Sequence, residues 1–80
     1  MPPSKKHHER NADHSLQEAR RLLNEALKQL NLCESAYLGR ETADWEKVAR
    51  LADKAFIAAQ ASILPLGNVG THALRRVALG

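Results

Sequence analysis

The sequence predicts an all-α fold, an antiparallel helical hairpin that dimerises into a four-helix bundle. Three observations lead there. Leu16, Ala19, Leu23, Ala26, Leu30, Cys33 and Tyr37 recur at spacings of three and four, a heptad ladder that keeps one side of a helix apolar. A second ladder follows in Trp45, Val48, Ala52, Ala55, Ala59 and Ser62, with Phe56 and Ile63 beside it. Alanine and leucine dominate the apolar residues, and the only aromatic ones are Tyr37, Trp45 and Phe56, a bias toward helices rather than sheets.

Residues 1–13 are polar, charged and rich in proline at the start, and lack apolar periodicity. They are expected to form a disordered basic tail, since nothing in them repays the entropy of ordering. The hairpin is expected over 14–64. Ser15 and Glu18 form a capping box that would start helix 1, about 15–38, with Gly39 closing it. Gly39, Arg40, Glu41 and Thr42 make a short connection, which favours an antiparallel neighbour. Thr42 is the expected N-cap of helix 2, about 43–63, with Asp44 and Glu46 complementing the helix dipole. Leu64 precedes Pro65 and so should end that helix. Residues 65–80 read as a loop, Pro65 to Gly70, followed by a short helix capped by Thr71.

The two ladders match in size. The leucines of helix 1 can enter the space left by Ala52, Ala55 and Ala59, and Tyr37 can pack on Trp45 near the connection. Leu22 and Leu27 widen the stripe beyond a two-helix seam, so a hairpin of 80 residues leaves apolar surface that a second copy would cover. Other sources of stability are not in evidence. One cysteine cannot form an intramolecular disulfide, and no cysteine and histidine set stands at zinc-ligand spacing.

The chain carries a net charge of +3, with twelve Lys and Arg against nine Asp and Glu, which permits an acidic partner without requiring one. The amino terminus has no apolar run of the signal-peptide kind, and the charge-free stretch between Lys54 and Arg75 is broken by Pro65, Gly67, Asn68 and Gly70. A cytoplasmic protein with no membrane partner is the expectation. No Ser-His-Asp set, glycine-rich phosphate loop or inward carboxylate pair is visible, so neither an enzyme nor a cofactor is expected. His7, His8 and His14 lie in the expected tail and lack the fixed geometry of a metal site.

The polar side of helix 1 is the more suggestive surface. Gln17, Arg21, Asn24, Lys28 and Asn31 share the face opposite the ladder, and none is acidic. Forked guanidinium donors, a lysine point charge and paired amides suit phosphate oxygens and base edges, and Lys5, Lys6 and Arg10 add cations from the tail. A solvated outer face is the other reading of the same residues. The matched helices, the alternating heptad layers and the amide-plus-cation outer face resemble, in architecture, the plasmid RNA-binding Rop proteins, over Ser15 to Ile63. That resemblance implies a dimeric four-helix bundle that binds RNA through its first helices. The outer face of helix 1 here has no aromatic residue, and no residue role is carried over. The expected function is thus a small accessory regulator of the bacterial plasmid or phage kind that binds RNA or DNA. The alternative is a protein-interaction module whose apolar residues 65–80 dock a protein partner.

Overall fold

A computed structural model describes residues 4–38 and 44–80, and those residues form three helices and no strand: α1, Lys5–Tyr37; α2, Trp45–Ala61; and α3, Ile63–Ala78. Helix α1 packs antiparallel along both α2 and α3, which touch each other only around their junction. The result is a hairpin of one long helix against a bent one. Its principal extents are 62 × 15 × 14 Å, and its radius of gyration is 18.1 Å. A compact chain of this length would have a radius near 12 Å.

The first helix starts ten residues before the capping box. Ser4 is its N-cap, accepting a hydrogen bond from the His7 amide at 3.2 Å. Ser15 lies inside the helix, buried against the second rod, and Glu18 bonds Arg21 instead of a cap amide. Residues 5–13 are therefore helical rather than a disordered tail. The physical reason is α3, which lies alongside: Glu9 accepts from Arg76 at 2.7 Å, and His8 meets His72.

Pro65 likewise bends the second rod without ending it. It occupies the first turn of α3, where its missing amide costs least. The disturbance is absorbed at Ser62, whose hydroxyl and amide both donate to the Ala59 carbonyl, at 2.6 and 3.2 Å. The stretch expected as a loop, Pro65 to Gly70, is helix, and the expected short final helix is its continuation. Asp44, not Thr42, caps α2, accepting from the Lys47 amide at 3.1 Å. Gly39 and Thr42 lie outside the described residues.

The seam inside the hairpin is rotated from the one the ladders suggest. On α1 the least exposed positions run His8, Ala12, Ser15, Ala19, Leu22, Ala26, Gln29, Cys33 and Ala36. On the other rod they run Val48, Leu51, Ala55, Ala58, Ser62, Pro65, Val69, His72 and Arg76, in unbroken heptad register across the α2–α3 junction. Ala19, Ala26 and Cys33 belong to the expected ladder. Leu16, Leu23, Leu30 and Tyr37 do not reach the seam and remain 40–55% exposed. On the second rod Val48 and Ala55 keep their expected place, whereas Trp45, Ala52 and Phe56 stand outside the seam and Ala59 at its margin. Both rods are turned by one step of the heptad wheel, about 50°.

The turned seam joins small side chains to large ones. Leu22 borders Ala58 and Ala61, and Leu51 borders Ala36. The Cys33 thiol donates to the Val48 carbonyl at 3.5 Å. The fully buried apolar residues are Ala19, Cys33, Ala36 and Ala58, and among the described residues no large side chain is fully buried. The hairpin is thus held by close backbone approach rather than by an enclosed leucine core.

Enlarging Ala19, which is 1% exposed, tests this seam. Ala19→Leu should destabilise the fold by about 1–3 kcal/mol through overpacking. For a domain of this size that lowers the melting temperature by several degrees, read by circular dichroism. An unchanged melt would place Ala19 off the seam.

Candidate interaction surfaces

Because the seam uses only one strip of each rod, the hairpin presents two unlike flanks. On one flank Leu16, Leu23, Leu27 and Leu30 of α1 stand beside Trp45, Phe56, Ile63 and Leu66 of the second rod, all at least 40% exposed. Leu66 lines one shallow groove with Leu16, Ala19 and Leu23, which places these two sets on the same side. Tyr37 stacks on Trp45 with ring centroids 6.4 Å apart, the contact expected near the connection, and it completes the flank at that end. Trp45 at 68% and Phe56 at 62% exposure show how little of this flank the single chain covers.

The opposite flank is mixed. One groove there, of about 470 Å³, gathers His14, Ser15, Glu18, Arg21 and Asn68 over Leu22, Leu64 and Pro65. Arg21 donates to both Glu18 oxygens, at 2.6 and 3.3 Å, and holds that carboxyl below its usual range. A carboxylate so paired is a poor proton acceptor at neutral pH, and Ser15, which also lines the groove, is buried at the seam. Among the described residues no set of three His, Cys, Asp or Glu is arranged to hold a metal ion, and no helix is long and apolar enough to cross a membrane.

The open end of the hairpin concentrates charge. Lys5, Lys6 and Arg10, read from sequence as cations of a tail, are held on the first turns of α1. The antiparallel fold sets them at the same end as Arg75 and Arg76, the last turn of α3. Acidic groups there are Glu9, which Arg76 pairs, and Asp13. From Arg10 a continuous exposed stripe runs outward along α1 through His14, Gln17, Arg21, Asn24, Lys28 and Asn31. The expected polar face and the expected basic arm are thus one track on one rigid helix. Arg21 is tied to Glu18, so Lys28 is the unpaired cation at the middle of that track among the described residues.

Sequence reasoning missed the pair His8 and His72. They meet at the seam with Nδ1 atoms 2.9 Å apart, His8 being 4% exposed, while His7 stands edge-on to both. At that separation one ring donates and the other accepts, so the accepting imidazole is neutral. Burial, then His72, His7 and Arg75, push the His8 pKa below its ordinary 6.5. The available signal was the heptad spacing of His8 with Ala12, Ser15 and Ala19, hidden by the polar character of the segment.

Comparison with protein families, curated proteins and solved structures returns no match.

The histidine pair sets a pH dependence with a definite sign. A group whose pKa is depressed by folding binds fewer protons in the folded state, so its contribution is fully present above 6.5 and is lost as pH falls below 6.5 toward the folded value. Acidification from pH 7.5 to 5.5 should loosen the α1–α3 end, raising amide exchange over residues 5–12 and 72–78 more than at the middle of the rods. His8→Asn should flatten that dependence. Equal acid sensitivity in the variant would rule out the pair as its origin.

Proposed function

We propose that the protein is a non-enzymatic nucleic-acid-binding accessory module that works as a homodimeric four-helix bundle. The observation that carries this reading is the track described above: Lys5, Lys6, Arg10, Arg75 and Arg76 at one end, continued along α1 by exposed amides and Lys28. Phosphates are neutralised best by cations held in fixed register, because ordering them costs no further entropy on binding. A straight helix with such a stripe can lie along a nucleic-acid backbone, with Gln17, Asn24 and Asn31 offering both donors and acceptors.

The bundle is supported by the apolar flank and by surface area. The chain has an accessible surface of 6165 Å² at a mass of 8.9 kDa. A compact monomer of that mass exposes about 4800 Å². The excess exceeds the roughly 800 Å² that each partner contributes to a standard interface. A second reading, docking of a protein through residues 65–80, rests on Leu74 and Val77, which are 73% and 75% exposed. That segment is helical and packed on α1 through Pro65, Val69 and His72, so only its outer side is available to a partner.

Binding to RNA and DNA duplexes of random sequence, titrated at several salt concentrations, tests the first reading. Affinity should fall steeply with salt, and Lys5→Ala, Lys6→Ala and Arg10→Ala combined should weaken binding and lower the salt slope by up to about three. Arg21→Ala with Lys28→Ala should weaken it further. No detectable binding at low salt, or triple-variant binding equal to wild type, would remove the track from consideration. Pull-down of a protein that is lost with Leu74→Ser and Val77→Ser would favour the second reading. Sedimentation equilibrium at micromolar concentration should give twice the chain mass.

A further inference from the structure

The edge charges of the apolar flank specify how two copies face each other. Arg20 borders that flank, lining the groove shared by Leu16, Leu23 and Leu66. Leu27 and Glu34 follow it at seven-residue intervals, so the three share one heptad position on α1. Both Arg20 and Glu34 are exposed, and neither forms an ion pair among the described residues. Each lies seven residues from Leu27, about 10.5 Å along the axis in opposite directions.

We propose that the second copy covers this flank with its α1 antiparallel to the first α1, about a two-fold axis through Leu27. This rests on the dimer reading above. The axis sets Arg20 opposite the second copy's Glu34 and, by symmetry, Glu34 opposite its Arg20. It also brings Leu27 to Leu27 and sets Leu23 within one residue of Leu30 and Leu16 within one residue of Tyr37, so the register that satisfies the charges also brings the apolar layers close together. A C2 interface has this self-complementary form.

The second rod obeys the same axis. Cys33 lies at the height of Val48 and His8 at that of His72, which places residue 54 level with Leu27. Turning about that level puts Phe56 against the second copy's Ala52, and Trp45 against its Ile63, a large side chain filling the space beside a small one in the first case. The other face-to-face arrangement, with both connections at one end, lays α1 on the second copy's α2. Arg20 then stands level with residue 61 of the second copy, between its Ala59 and Ile63, and Glu34 level with residue 47, between its Trp45 and Ala49, so neither charge meets a counter-ion on that flank. Desolvating an unpaired charge is unfavourable, whereas a rim ion pair fixes register.

In this dimer the two α1 helices overlap over roughly residues 17–37, and the two ends that carry Lys5, Lys6, Arg75 and Arg76 project from opposite ends of the bundle. Their separation is about 66 Å from the helical rise. Recognition and dimerisation thus use different faces of α1.

Cross-linking in the full chain tests the orientation. With Cys33→Ala as background, Leu27→Cys should form a disulfide-linked dimer under mild oxidation, and Leu27→Cys mixed with Phe56→Cys should give no mixed dimer in excess of chance. Charge exchange supplies an independent measurement. Arg20→Glu and Glu34→Arg should each weaken self-association about tenfold, and mixing the two variants should restore it, because both pairs are then satisfied in the heterodimer. A sedimenting dimer that cross-links between positions 27 and 56 but not 27 and 27, or variants that fail to rescue each other on mixing, would overturn the orientation and leave the dimer standing. A monomer in sedimentation equilibrium would overturn both.

Discussion

Because half of the seam positions between α1 and the α2–α3 rod are Ala, Ser or Cys, the two helices can pack closely there, and most of the large apolar side chains stay outside the contact. That one constraint accounts for most of what the molecule shows. A close seam is narrow, so it spends only one strip per helix. It buries no large side chain completely, and the chain remains a rod of 62 Å instead of a globule. Each half-exposed Leu withholds part of the roughly 1.5–3 kcal/mol that full burial of such a side chain contributes. The leucine stripe of α1 and the Trp45–Phe56–Ile63 side of the second rod are that unused burial, collected on one flank.

The seam also explains where polar chemistry is tolerated. At the closed end and middle it holds alanines, and toward the open end it holds His8, Ser15, His72 and Arg76. Two of the buried polar side chains have partners, His8 with His72 and Ser62 with the Ala59 carbonyl. The open end therefore holds the histidine pair, and it is also the part that carries the cations. The rod is apolar on one flank, cationic at one end and amide-lined along its outer side, so the proposed self-association and the proposed recognition fall on different surfaces.

The heptad spacing, the helix-forming composition, the Tyr37–Trp45 contact and the antiparallel pairing were all legible in the sequence, because each depends on local periodicity or on a short connection. Two boundaries were not. Residues 5–14 look like a tail, since Lys5, His7, Glu9 and Arg10 show no apolar stripe, yet Glu9 and His8 gain partners from residues more than sixty positions away. Pro65, Gly67 and Gly70 look like a loop, yet Pro65 falls in the first turn of α3 and none of the three takes a positive φ. In both places packing against α1 overrides a weak local preference.

By itself the sequence determined that this chain is helical, that it folds back on itself and that it carries more apolar surface than two helices can cover. Which strip faces inward was decided only in the tertiary structure. Two heptad stripes share Ala19, Ala26 and Cys33, one completed by Leu16, Leu23 and Leu30 and the other by Ser15, Leu22 and Gln29. Hydrophobicity alone favours the first. The hairpin takes the second, in which small residues recur along α1 and meet Ala55, Ala58 and Ser62 at the middle of the second rod, and the leucines are left on the flank where Arg20 and Glu34 stand seven residues to either side of Leu27.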